Sequence, residues 1–214
     1  MIKIERTHYD GFKLSVRAAR NSYGSHDKSD SVYVNGDGLG GDDLRLMKDL
    51  AFSGPSHAKF RRFITVSFDM KAPLYFWKQF DTYKVGVTQS RGSTMHTITK
   101  EPFVLESFSH EWLPAKSPSE DLLLYICREL NWLRNMYLND FKDDKEARKG
   151  IWRQIIQLLP SSYNQVGTVL LNYEVLSKIY NERRHHKLPE WKQFCNWIEA
   201  LPYADGLIFR KEDE

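Results

Sequence analysis

The chain has 214 residues, 41% of them hydrophobic and 28% charged, with a formal net charge of +3. That length allows one domain with a real core, and the charge is too small for a protein that coats nucleic acid, although anionic small molecules stay open. No apolar run approaches the ~20 residues of a membrane helix, and the charged start Met1-Ile-Lys-Ile-Glu-Arg-Thr does not read as a secretory leader. The expected compartment is the cytoplasm.

Taken in order, Ile2 to Tyr9 alternates apolar and polar residues and predicts a strand. Phe12 to Ser22 carries Leu14, Val16, Ala18 and Ala19 at helical spacing. Ser22 to Gly41 reads as a long loop, with a short strand at Val32-Tyr33-Val34. Asp42 to Ser53 predicts a helix with an acidic first turn, broken by Gly54-Pro55. His57 to Arg62 predicts a short helix. Phe63 to Met70 alternates strictly and predicts a strand at the centre of a sheet. Pro73 opens a helix to about Thr82. Phe103 to Glu106 is a strand candidate. Helices are expected over Asp121–Asn139, Lys145–Leu159, Asn164–Arg184 and Pro189–Leu201. The fold class is α+β: a small antiparallel or mixed sheet from the N-terminal half packed with long helices. No linker divides it, so residues 1–214 read as one domain.

Cys127 and Cys195 are a distant pair without metal or redox spacing and read as buried structural residues. Gly36-Asp-Gly-Leu-Gly-Gly41 suggests a phosphate loop, but it lacks a lysine at the required spacing and carries Asp37, Asp42 and Asp43; it reads as a turn. His185 and His186 are adjacent on a helix and do not face one way. Arg183 and Arg184 beside them suit a phosphate, or a solvated helix end. Gln79, between Trp77 and Phe80, offers an amide that reads a pyrimidine or flavin edge, or sits at the core margin. With 14% aromatic residues and the hydroxyl-rich run 87–97, the residues support a pocket for a flat anionic ligand. No nucleophile elbow, Ser/His/Asp spacing or zinc motif is present.

Four segments in serial order resemble the flavin-dependent thymidylate synthases. Ala18-Ala-Arg-Asn-Ser-Tyr23 is similar to that family's A-A-R-x-S-Y. Gly54-Pro-Ser-His57 is similar to its G-H-x-S-x-x-E-H region, with His57 on a histidine. Gln79 opens the position of its Q-x-x-R-H-R-x-x-S signature. Leu159-Pro160, Asn172-Tyr-Glu-Val-Leu176, Arg183 and Pro189-Glu-Trp-Lys192 resemble its L-P, N-x-R-x-L, L-R and A-Q-W-E. The departures are specific. Thr82-Tyr83-Lys84 stands at R-H-R, Glu174 at the arginine of N-x-R-x-L, and the basic run Lys59-Phe-Arg-Arg62 where the glutamate would follow His57. Val87 and Gln89 fall near the signature serine and asparagine, with Ser90, Ser93 or Thr94 able to return a hydroxyl.

The resemblance implies reductive methylation at carbon 5 of dUMP or a related pyrimidine nucleotide. FAD would be the cofactor, methylenetetrahydrofolate and NADPH the co-substrates, and a homotetramer the assembly. It implies substrate contacts from Gln79, Arg183, Arg153 and Ser93, and flavin contacts from His57, Tyr83, Lys84, Ser22 and Asn172. No residue is assigned a catalytic role. No nucleic-acid, membrane or metal partner is implied. The alternatives are a member that binds nucleotide or flavin without turnover, and an interaction protein on the same scaffold.

Overall fold

The computed structural model describes residues 1–32 and 38–210, so the expected strand at Tyr33-Val34 and the glycine run before Gly38 lie outside the described residues. Four strands, β1 (Lys3–Asp10), β2 (Thr65–Pro73), β3 (Thr88–Arg91) and β4 (Asn164–Asn172), form one antiparallel sheet in the order β1-β2-β4-β3. The Tyr173 N–H donates to the Ile64 carbonyl and the Leu74 N–H to the Tyr163 carbonyl, both at 3.0 Å. As one partner's number rises the other's falls by the same amount, which is the antiparallel register of β2 and β4. β2 buries Val66, Phe68, Met70 and Ala72 and leaves Thr65, Ser67 and Asp69 half-buried, as its alternation predicts.

The helices are α1 (Phe12–Arg20), α2 (Gly41–Ala51), α3 (Leu74–Phe80), α4 (Thr94–Thr97), α5 (Pro118–Asn135), α6 (Lys145–Leu158), α7 (Tyr173–Arg183) and α8 (Pro189–Glu199), with 3-10 turns at Asn21–Tyr23 and Ala58–Phe63. The expectation of one helix over Asn164–Arg184 is corrected: its first half is strand β4. Val169 and Leu171 are buried while Val166, Thr168 and Leu170 are exposed, a period of two that the helix reading passed over because Leu170, Leu171 and Leu176 also suit a helix. The sheet therefore draws an interior strand from the C-terminal half. Phe103–Glu106 is not a strand. The Phe103 backbone exchanges its N–H and C=O with the Asn131 side chain at 2.9 and 2.7 Å, so no neighbouring strand is needed, and a 3-10 turn follows at Leu105–Ser107. β3 was not expected; it is four polar residues long and carries no apolar alternation.

The chain forms two compact units of interleaved segments. The smaller holds Met1, Lys71–Asp81 and Arg91–Gly167; the larger holds Ile2–Met70, Thr82–Ser90 and the chain from Thr168 onward. In the smaller unit, α5 starts at Ser117, whose hydroxyl accepts from the Glu120 amide, and Pro118 takes the first helical position. Leu123, Cys127, Leu130 and Leu133 of α5 meet Ile151 and Ile155 of α6 around Phe103 and Phe108. After Asn135 the chain widens into a π-helical turn, Met136–Asp140.

In the larger unit, Phe68 packs on Phe194 and Trp197, and Trp191 on Phe194. Gly11 precedes α1 at φ +100°, where a Cβ would run into the Phe63 carbonyl. Buried Asp43 accepts from the Arg20 guanidinium and from the hydroxyls of Ser29 and Ser31, both at 2.6 Å. Burial alone would raise its carboxyl; those hydroxyls and Arg20 outweigh burial and hold it below the usual carboxylate range. Both cysteines are buried and unbridged, as expected.

Candidate functional site

The larger unit brings the sequence-predicted residues together in two places. The first follows α1. Ala18 and Ala19 at the end of α1 and Asn21, Ser22 and Tyr23 in the turn after it line a cavity of about 280 Å³ with Ser56, His57, Lys59 and Phe60. Ser22 and His57, 35 positions apart, thus share one wall. The donors there are two serine hydroxyls, the Tyr23 phenol, an amide, an imidazole and a lysine, against the apolar Leu50, Phe60 and Phe63. That mixture suits a ring-bearing phosphate ester. The sequence reading named Ser22 and His57 and missed Asn21, Ser56 and Lys59, which only the turn of the chain adds.

The second place lies where the segment 82–85 meets α7. Thr82, Tyr83, Lys84, Val85, Glu174, Val175 and Lys178 line a cavity of about 460 Å³. The close approach depends on Gly86, at φ +77°, where a Cβ would come within 2.9 Å of Val175 Cγ2. Asn172 ends β4 and caps α7, its side-chain carbonyl accepting from the Val175 amide at 3.1 Å. Its carbonyl is therefore occupied by the helix, and its position sets where α7 begins. Lys178 was not singled out in the sequence; it stands one helical turn from Glu174 and so shares its face.

Two departures from the thymidylate synthase pattern, Thr82-Tyr83-Lys84 and Glu174, fall on this single cavity. A third joins them: Arg62 Nε donates to Glu174 Oε2 at 2.6 Å. An acid stands where the pattern has arginine, and its partner comes from the basic run standing where the pattern has glutamate.

Tyr83 is turned inward, 6% exposed. Its hydroxyl donates to Glu182 and accepts from Arg183 Nε, each at 2.8 Å. The Arg183 guanidinium lies over the rings of Trp191 (4.8 Å) and Tyr83 (5.5 Å). Burial, with the Glu182 carboxylate, pushes the Tyr83 hydroxyl up to about 12, against the opposing pull of Arg183. The phenol stays neutral at physiological pH and fixes the guanidinium's direction. In this arrangement Arg183 and Tyr83 serve each other, and Lys84 and Lys178 are the cations that line the cavity itself.

Gln79, Ser93 and Arg153 belong to the smaller unit. Gln79 is half-buried on α3 between buried Trp77 and Phe80. Ser93 caps α4, its carbonyl accepting from the His96 and Thr97 amides. Arg153 is exposed on α6. His186 Nδ1 accepts from the Leu188 amide at 3.1 Å, while His185 is exposed, so the two do not converge. The Asp30 carboxylate accepts from the Asp42 and Asp43 amides at 2.9 Å, filling the α2 N-terminus where a phosphate loop would hold its anion. Among the described residues no cluster of three His, Cys, Asp or Glu side chains suits a metal ion, and no helix is long and apolar enough to cross a membrane.

No protein-family model and no curated protein sequence matches the chain. Solved structures do. Over 97% of this chain and 97% of the other, it is similar to thymidylate synthase X from Helicobacter pylori with FAD and dUMP, at a TM-score of 0.70 and 16% identity. A second structure of the flavin-dependent enzyme from that organism, also with FAD and dUMP, gives 0.69 and 18% over 96% and 97% of the two chains. The UMP/dUMP methylase PolB of Streptomyces cacaoi, bound to 5-bromo-dUMP, gives 0.59 and 16% over 93% and 88%. The chain thus has the α+β fold of the flavin-dependent thymidylate synthases, along nearly its whole length. Of its departures from that family's pattern, Thr82-Tyr83-Lys84 and Glu174 line one cavity.

Proposed function

We propose that the protein is a FAD-dependent, thymidylate synthase-like enzyme that methylates carbon 5 of dUMP or a related pyrimidine nucleotide. The observation that carries this reading is the convergence of Ser22 and His57 on one cavity, inside a fold whose solved examples include proteins with FAD and dUMP bound. The donor set of that cavity fits a flavin nucleotide: Lys59 and the serine hydroxyls for phosphate, and the apolar wall for a ring. When bound, reduced flavin supplies hydride, with methylenetetrahydrofolate as carbon source and NADPH as reductant.

The chain's own work is positioning and electrostatics. Lys84, which the resemblance gave to the flavin, is here assigned with Lys178 to the positive charge for the nucleotide, and buried Val175 supplies an apolar wall beside it. Neutral Tyr83 locks Arg183. In the smaller unit, Gln79, Ser93 and Arg153 stand as substrate contacts on the resemblance alone, and assembly into a homotetramer is proposed on the same ground. No protein nucleophile is needed, so the absence of a triad is no obstacle.

A second reading, binding without turnover, is favoured by Glu174, which sets a carboxylate in the cavity beside the two lysines. Three measurements separate the readings. Purified protein shows flavin absorption bands, dUMP binds, and tritium is released from 5-tritiated dUMP when NADPH and methylenetetrahydrofolate are added. Flavin and dUMP binding without tritium release selects the second reading; a colourless protein that binds no dUMP sinks both. Arg183→Ala and Gln79→Ala weaken dUMP binding more than the exposed control Lys13→Ala.

A further inference from the structure

One stripe of α6 in the smaller unit is unlike an ordinary helix face. Lys145, Arg148, Lys149 and Trp152 stand at i, i+3, i+4 and i+7 and therefore share one side. The core-facing positions Ile151 and Ile155 take another side. With Met95 and Tyr137, the four residues line a cavity of about 360 Å³ that has no acidic residue on its wall. Asp144 and Glu146 stand beside the stripe and line a neighbouring depression along 139–146, whose wall Lys145 shares. None of the three cations forms an ion pair among the described residues. Like charges one turn apart repel.

Arg148 is built into place. Its Nη1 donates to the Lys142 carbonyl at 3.1 Å, and its guanidinium lies 4.3 Å from the Tyr137 ring centroid. Its Nε–H is buried and has no acceptor. A buried guanidinium N–H without an acceptor is a standing cost of holding the side chain in this place. Trp152 is half-buried, packs against the core cluster and makes no ring–ring contact among the described residues; its remaining surface lies on the cavity wall, where a flat ring can meet it. Asp144 takes the amides of Glu146 and Ala147, so side chains and not the helix N-terminus make this site.

We propose that this cavity is a second ligand site, distinct from the two in the larger unit, that takes a nucleoside triphosphate. Three cations match the charge of a triphosphate, Trp152 matches its base, and the volume holds one nucleotide and no longer strand. A single-stranded nucleic acid would need a basic groove that runs on past the cavity, and the net charge of +3 does not favour one. The site does not depend on the methylation reading.

The test is calorimetric titration of the full chain, with and without added dUMP and FAD, with ATP, tripolyphosphate and an oligothymidylate at constant ionic strength. The expected result is one ATP per chain. Lys145→Gln/Lys149→Gln, both at exposed positions, loses at least tenfold in affinity with an unchanged thermal melt. Trp152→Leu weakens ATP but not tripolyphosphate, and Arg183→Ala changes neither. The proposal is overturned if folded protein binds no ATP, if the double variant binds it undiminished, if tripolyphosphate binds as tightly as ATP, or if the oligonucleotide binds more tightly than either.

Discussion

Replacing Glu174 by Gln is expected to tighten dUMP binding. The Glu174 carboxylate lines the same 460 Å³ cavity as Lys84 and Lys178. A cavity of that volume is about 8 Å across, and two like charges at that separation repel by about 2 kcal/mol at an effective dielectric of ~20. Arg62 offsets part of the charge from 2.6 Å, but its side chain is 55% exposed, so water screens the pair. Glu174→Gln removes the repulsion. After screening, a net gain of about 1 kcal/mol remains, roughly fivefold in affinity. Glu174→Arg adds a cation to the cavity and is expected to gain about 2 kcal/mol, roughly thirtyfold. The stability cost of losing a partly exposed pair is only about 0.2–1 kcal/mol, so the variants fold. Titration calorimetry with dUMP, and with deoxyuridine as the phosphate-free control, gives the comparison. The gain should shrink as salt is raised and be absent for deoxyuridine. If Glu174→Gln binds dUMP no more tightly, or gains equally for deoxyuridine, the cavity does not hold the nucleotide's charge.

Three further outcomes are expected. Asp43→Ala leaves buried Arg20 without its carboxylate and should cost about 3–5 kcal/mol in urea denaturation; in the wild type, because the folded carboxyl lies below its unfolded value, this contribution is complete above the ordinary carboxylate range and is lost as pH falls through the depressed value. Tyr83→Phe removes the bridge between Glu182 and Arg183 and should cost about 1–3 kcal/mol; with the wild-type hydroxyl raised from its ordinary value of 10.0 to about 12, the folded state holds its proton longer, so wild-type stability falls as pH rises across that window and the Phe variant lacks this slope. Ser22→Ala/His57→Ala should lower the flavin absorbance per chain at least several-fold without shifting the thermal midpoint; unchanged flavin content would remove that cavity from the flavin reading.

Local pattern carried a good part of this architecture. The β1 and β2 alternations, the Ser117-Pro118 and Pro189 helix starts, and the stop at Pro160 are each written within a few neighbouring residues, because strand period, capping and proline geometry are short-range effects. Serial order along the chain named Gln79, Ser22, His57 and Arg183; of these, Ser22 and His57 line one cavity, while Gln79 and Arg183 line neither that cavity nor the one beside α7. What failed locally was β4, since Val169-Leu-Leu fits a buried strand and a helix equally until a neighbour supplies hydrogen bonds. Polar, four-residue β3 failed for the same reason: its identity lies in its partner. The site was decided at tertiary level. That Tyr83 faces inward to Glu182 and Arg183, that Glu174 pairs with Arg62 across 112 positions, and that Lys84 and Lys178 share a cavity are consequences of packing segments 82–90 against α7. A side chain's charge is fixed by its own chemistry. Whether that charge meets a ligand or another residue depends on which distant segment folding places beside it.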